Sequence, residues 1–366
     1  MATLRLNGIE KSFGNKKVLD DINLELEEGV FTAFLGKAGS GKTTLMQIIA
    51  GTLKQDGGKI YRGDKDISNV PPRRRGVAMV SQGYNLYPNL SAFENIASPL
   101  RARKAPEEEV QKAVKEEARV LGIEHLLQNK PYELSGGEAQ RTALGRTFLN
   151  DADVYLLDEP LTGLDYKLRE DMQYELKQIL QRSSLHKKNI LYATPNYQEV
   201  LAICQKTVLM NEGRVLWYGD TMEGYHYPPS VEFARHFYDP PMNLFEAQLV
   251  SSEGKRFIEV PNLIHLPVDH LMEQLKGETY VVGIPTNAFA LERELGGLEM
   301  TLNLTLTDVT PAGTVMHMHL GSQKVNGYLP YPKHIDSGNL KLYVNPEDFY
   351  VFDGQNGTLV LKYEGE

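Results

Sequence analysis

Apolar and polar positions alternate through LRLNGIEKSFGNKKVLDDINLELEEGVFTAFLG, residues 4–36, with turn signals at Gly8, Asn15 and Gly29. A period of two places successive side chains on opposite faces, so this stretch predicts short strands in a β-rich lobe. The apolar run VFTAFLG then enters GKAGSGKTTLMQIIAG, where Leu45, Ile48 and Ile49 have helical spacing. The pattern is strand, loop, helix.

From about 84 to 130 the chain contains EEEVQKAVKEEARVLGIEHLL, with the charge and apolar spacing of surface helices and no strand-like run; this predicts a helical subdomain. Between Asp153 and Gly213, strand-like VYLLDEP, NILYATP and TVLMNEG alternate with helical YKLREDMQYELKQILQR and QEVLAIC. Such alternation implies a mainly parallel sheet and an α/β fold. Beyond Gly219 a Pro- and Tyr-rich stretch, GYHYPPSVEFARHFYDPPMN, leads into short strands punctuated by Gly, Pro and Asn. We place a boundary near 240, with an α/β domain over 1–240 and a small antiparallel barrel of the oligonucleotide-binding (OB-like) kind over 241–366. A length of 366 residues suits two cores.

Composition narrows the function. The net charge of −9 argues against broad contact with nucleic-acid phosphates, which draws on clustered Lys and Arg, and Arg73–Arg75 is too short a basic run to change this. No stretch approaches the length of an apolar bilayer span, and MATLRLNGIEKSFG lacks the apolar centre of a signal peptide. A cytosolic location is expected, with any membrane role exercised through partners. The single cysteine, Cys204 in VLAIC, reads as a buried structural thiol.

Three motifs carry chemistry. Gly36, Gly41, Lys42 and Thr43 fit G-x-x-x-x-G-K-[ST], and Gly39 adds a further position of close backbone approach. The amides of Gly36, Lys37, Ala38, Gly39, Ser40, Gly41, Lys42, Thr43 and Thr44 are expected to cradle phosphates, with Lys42 reaching the β and γ groups. In VYLLDEP, Asp158 at a buried strand end is a candidate Mg2+ holder alongside Thr43, and Glu159 a candidate for polarising the attacking water. In LSGGEAQRTALGR, Ser135, Gly136 and Gly137 precede a helix and offer amides and a hydroxyl to an anion.

With all three motifs in this order, the chain resembles the ATPases of ABC importers for sugars, polyols and glycerol phosphate, the maltose-importer type, over essentially its whole length. The resemblance implies an ABC ATPase domain with a TOBE-type barrel behind it, and ATP and Mg2+ as cofactors. It also implies a head-to-tail pair with a second ABC ATPase subunit, two membrane permease subunits, and an extracytoplasmic solute-binding protein served indirectly, all at the cytoplasmic face of a membrane. Position by position, Phe13 resembles the aromatic that stacks on adenine. Gln82 in MVSQ resembles the glutamine that senses Mg2+ and touches the permease-facing groove. Asp165 in LTGLD resembles the acidic residue that couples the two sites across the dimer.

Two positions depart from the family pattern. Glu138 stands where many relatives have glutamine, next to the anion-binding Ser135–Gly137. More consequentially, NILYATPNYQE has Thr194, Pro195, Asn196 where the family has Thr, His, Asp, so the switch histidine is missing. None of the nine histidines replaces it by position: His186 precedes the strand and His226 follows the motor region. That absence, the DYKLRE after the acidic site and the YDPPMN at 238–243 together resemble glycerol-type importers that use two different ATPases. Two other readings compete: a mainly structural or regulatory subunit that binds ATP but turns it over poorly, and a soluble ABC ATPase acting on ribosomes or in DNA repair.

Overall fold

The computed structural model describes residues 3–81, 83–163, 166–180, 188–261, 263–293 and 296–363, with the backbone alone at 166–168 and 180. The chain divides into two compact units, 1–222 and 223–366.

In the first unit, the short strands expected near the start are β1 (Leu4–Phe13) and β2 (Lys16–Leu26), paired as an antiparallel hairpin, and β3 (Phe31–Leu35) runs into α1 (Lys42–Ala50). Next come β4 (Gly57–Arg62), β5 (Lys65–Asp66) and β6 (Val77–Val80). Three helices follow: α2 (Ala92–Ala102), α3 (Glu107–Val120) and α4 (Gly136–Phe148). The unit finishes with β7 (Val154–Asp158), α5 (Tyr166–Leu180), β8 (Asn189–Thr194), α6 (Tyr197–Ile203), β9 (Lys206–Asn211) and β10 (Arg214–Asp220).

One sheet is antiparallel, in the order β2-β1-β4-β5; the other runs β10-β9-β3-β8-β7-β6, parallel except for β10 against β9. Every residue of β3, β7 and β8 is buried, as expected of strands covered on both faces. Leu45, Ile48 and Ile49 of α1 join Phe34, Leu156, Leu191 and Val208 in one core. Burying each such side chain contributes about 1.5–3 kcal/mol relative to leaving it exposed.

Gly8 differs from its reading as a turn. It lies inside β1 with φ 60°, at a shift in the pairing with β2. Gly58 approaches it so closely that a Cβ there would sit 2.2 Å from the Gly8 carbonyl oxygen, so this is a bulge beside the antiparallel neighbour β4, where that pairing also shifts register.

The helical stretch begins with α2, whose N-cap Ser91 accepts the Glu94 N–H. Glu107, Glu108 and Glu109 open α3, where carboxylates suit the positive end of the helix dipole.

The second unit is all-β apart from short helices. The helix α7 (Thr221–His226) straddles the division, and α8 (Val231–Phe237) follows it. The strands are β11 (Asn243–Ser252), β12 (Lys255–Val260), β13 (Ile264–Pro267), β14 (Thr279–Ile284), β15 (Leu298–Thr310) and β16 (Gly313–Leu320), then β17 (Gln323–Leu329), β18 (Gly338–Val344), β19 (Tyr350–Asp353) and β20 (Leu359–Lys362). They make two antiparallel sheets, β13-β12-β11-β14-β19-β20 and β17-β16-β15-β18. Both sheets line one core that includes Phe245, Val282, Leu302, Met316 and Val351, an OB-like arrangement.

The division at 222 falls ahead of residue 240 because α8 packs inward on this sheet. Its Ala234 is buried with Met242, Tyr350 and Phe352.

Candidate active site

In the parallel sheet β8 lies between β3 and β7, so three carboxyl ends stand side by side. The glycine-rich loop leaves β3, Asp158 and Glu159 end β7, and Thr194–Pro195 end β8. Ligands of open α/β sheets bind at such strand ends.

The loop is built from what glycine alone permits. Gly39 and Gly41 have φ 83° and 102°, in the left-handed region. At Gly36 a Cβ would lie 2.3 Å from the Met210 carbonyl oxygen. The Gly213 N–H donates to the Ser40 carbonyl at 3.1 Å, so the turn between β9 and β10 braces the loop from outside.

Lys42 opens α1 and is 3% exposed. Its Nζ donates to the carbonyls of Gly36 (2.7 Å) and Lys37 (3.1 Å) and stands 3.8 Å from Glu159 Oε1. Burial lowers the Lys42 pKa, opposed by the nearby charges of Glu159 and Asp158. Thr43 Oγ1 donates to Asp158 Oδ1 at 3.0 Å. Asp158 is 1% exposed, and burial raises its pKa against the Thr43 hydrogen bond; Glu159 raises it further and Lys42 lowers it. Glu159 sits at φ 48°, its N–H donating to the Ala193 carbonyl at 2.9 Å and its Oε2 accepting the Thr162 hydroxyl at 3.2 Å.

A cavity of about 730 Å³ joins these groups, lined by Ala38, Gly39, Gly41, Lys42, Thr43, Thr44 and Glu159. Lys16, Lys17, Val18 and Glu212 complete its wall, none of them singled out from the sequence. Glu212 sits at φ 45° in the NEG turn after β9, a signal visible in the sequence only as a turn. A basic loop at one end and oxygen donors at the other can hold a polyphosphate with a hard cation.

Other expected residues stand outside this cavity. Phe13 closes β1, paired with Lys16, and is 51% exposed, so it is not a core aromatic; Lys11 Nζ lies 5.5 Å from its ring centre. Ser135 and Gly136 are exposed at the start of α4, and they do not line the cavity, nor does Gly137. Glu138 closes a capping box there: its Oε2 accepts the Ser135 N–H at 2.8 Å, and its own N–H donates to Ser135 Oγ at 3.4 Å. The carboxylate is thus turned onto its own helix start, while the first-turn amides of Gly136 and Gly137 have no partner within the helix. Pro195 is exposed at the end of β8. Gln82 and Asp165 lie outside the described residues.

Comparison with known proteins agrees with this geometry. The sequence profile of the ABC transporter family matches residues 19–162. The chain is 35% identical over 362 residues to the sn-glycerol-3-phosphate import ATP-binding protein UgpC of Yersinia pseudotuberculosis, covering 98% of this chain and 99% of that protein. It is 35% identical over 363 residues to UgpC of Escherichia coli, covering 98% and 100%. Among solved structures, the dimeric ATP-binding cassette MJ0796 in a post-hydrolysis state bound to ADP and Pi aligns with a TM-score of 0.54 and 26% identity, over 60% of this chain and 98% of that one. Phosphate loop, acidic strand end and full-length similarity converge: the chain belongs to the ABC transporter family, among its ATP-binding subunits.

Proposed function

We propose that the chain hydrolyses ATP to power solute import, and that the solute is a phosphorylated polyol or related carbohydrate, the class named for its relatives. The observation that carries the ATPase reading is the meeting of Lys42, Thr43 and Glu159 at one cavity, with Asp158 hydrogen-bonded to Thr43 behind its wall.

Lys42 neutralises the β and γ phosphates, and the loop amides hold the chain of phosphate oxygens. Thr43 and Asp158, two oxygen donors 3.0 Å apart, fit Mg2+ and would hold it there. Bound Mg2+ supplies neutralisation of the charge that builds on the transferred group. Glu159 orients and polarises the attacking water.

Ser135 and Gly136 stand exposed, and with the buried Gly137 they lie outside this cavity, which fits their serving the nucleotide of a second ATPase subunit packed head to tail. Phe13 would stack on adenine at the hairpin end. Gln82 and Asp165 keep the roles the resemblance implies, toward Mg2+ and the permease groove and toward the opposite site. Two permease subunits and, through them, a solute-binding protein complete the assembly, with this chain peripheral on the cytoplasmic face and regulation assigned to the OB-like unit. Among the described residues no helix is long and apolar enough to cross a membrane.

Pro195 favours one refinement: this subunit's own site is the weaker half of an asymmetric pair. Proline has no titratable ring and no N–H, so it cannot hold the attacking water or donate to the γ-phosphate. The test is to purify the assembly and compare ATPase rates of Ser135→Ala and Glu159→Gln. Ser135→Ala is expected to be the more damaging. A fast homodimer of this chain alone, or greater damage from Glu159→Gln, overturns the asymmetry.

A further inference from the structure

The carboxyl end of β8 holds two parts of the site through its backbone. The Ala193 carbonyl accepts the Glu159 N–H at 2.9 Å, and the Thr194 carbonyl accepts the Gly36 N–H at 3.4 Å. Besides its pairing with β3 and β7, this strand end meets a carboxylate that does not line the nucleotide cavity. Glu199, in the first turn of α6, is 5% exposed. Its Oε2 accepts the Thr194 hydroxyl at 2.7 Å and the Tyr192 hydroxyl at 2.8 Å. Its Oε1 lies 4.0 Å from Arg169 Nε on α5. Thr194 Oγ1 also accepts the Asn196 N–H at 3.1 Å, tying down the turn that contains Pro195.

A buried carboxylate is weak evidence of stabilisation, because its desolvation offsets its attractions. Burial first, then the neighbouring Glu199, raises both the Tyr192 hydroxyl and the Cys204 thiol well above their ordinary pKa values. An apolar residue would bind β8 to α6 without that cost, but it would leave Thr194 free to turn.

We propose that Glu199 is a positioning residue for ATP hydrolysis: by clamping Thr194 it fixes the end of β8, and so sets where Glu159 stands against the phosphate loop. Glu199 touches no substrate and acts through Glu159. Tyr192 adds a second hydrogen bond to the same oxygen, and Arg169 extends the clamp to the helix that follows LTGLD. This inference rests on the reading of the cavity as an ATP-hydrolysing site.

The test uses the full-length chain and single-turnover ATP hydrolysis. Thr194→Val keeps the shape and removes the clamped hydroxyl together with its hydrogen bond from the Asn196 N–H; Glu199→Gln keeps an acceptor and that second bond, and removes only the charge. Each is expected to lower the hydrolysis rate about tenfold, as a misplaced catalytic group does, with ATP affinity within about twofold of wild type. In a Glu159→Gln background, Thr194→Val should cause no further loss, because the group it positions is already disabled. Tyr192→Phe removes one hydrogen bond from Glu199 but leaves Thr194 clamped, so it should lower thermal stability and keep the rate within about twofold. An unchanged rate in folded Thr194→Val and Glu199→Gln, or a full additional loss on top of Glu159→Gln, overturns the proposal. Wild type without ATP turnover both alone and in the purified assembly overturns this and the ATPase reading together; wild-type turnover with unaffected variants overturns only this one.

Discussion

Thr43 donates its hydroxyl proton to Asp158 at 3.0 Å although 115 residues separate them. The contact exists because β3 and β7 flank β8, which places the start of α1 against the acidic end of β7. It brings the candidate cation donors together.

Replacing the buried Lys42 by alanine removes the charge-assisted donor nearest the phosphates. We expect Lys42→Ala to weaken ATP binding by about 2–3 kcal/mol, roughly 30- to 150-fold. Calorimetry on the full chain checks this, and an unaltered dissociation constant would remove Lys42 from the site.

Glu159→Gln keeps the side-chain shape and the backbone bond to Ala193, but an amide does not take the proton of the attacking water. ATP should still bind, hydrolysis should fall to a small residual rate, and a nucleotide-bound dimer should accumulate on gel filtration. Ordinary single-turnover rates in this variant would assign the water to another group.

The pH dependence of stability follows from Asp158, whose folded pKa is raised chiefly by burial. A raised carboxyl favours the protonated native state, so its contribution is fully present below the unfolded value of roughly 3.9 and is lost as pH rises through the folded value. At neutral pH the ionised group therefore costs stability. Asp158→Asn should raise the Tm at pH 7, and this gain should shrink as the pH falls through the carboxyl range, while the Mg2+ dependence of ATP binding disappears. Thermal melts from pH 4 to 7 test it; a lower Tm across that range would contradict the sign.

Restoring an imidazole at the end of β8 should strengthen the site. A single donor aimed at transition-state charge is worth about 2.7–4 kcal/mol, so Pro195→His is expected to speed hydrolysis by up to two or three decades, with little change in ATP affinity. The site is already fast if the substitution leaves the rate unchanged.

A fragment ending at residue 222 should fold and bind ATP, since the cavity is made wholly by the first unit. A fragment ending at 240 keeps Phe233, Ala234 and Phe237 without Met242, Tyr350 and Phe352, and should aggregate more readily. Light scattering of the two fragments distinguishes them; equal solubility would mean that α8 needs no cover.

The motif-bearing local segments were legible in the residues themselves. A phosphate loop is a local object: Gly36, Gly39 and Gly41 answer to backbone demands within a few residues of Lys42, and the alternation around them announces the strand and helix it joins. The absence of an imidazole at Pro195 needs no structure either. Gly8 reads as a turn because a bulge and a turn ask for the same left-handed glycine, and only the pairing of β1 with β2 and β4 decides between them.

The sequence by itself determined the chemistry available, a lysine and glycines for phosphate, two carboxylates for metal and water, and an α/β chain with a β-rich tail. Tertiary structure alone decided which of these groups meet. Strand order put β3, β8 and β7 side by side, brought Glu212 and Lys16 into the cavity wall, joined Thr194 to Glu199, and left Ser135 exposed outside that cavity. Local patterning sets how each segment folds, whereas neighbours across a sheet are chosen by long-range burial and hydrogen bonding, which no short stretch of residues encodes.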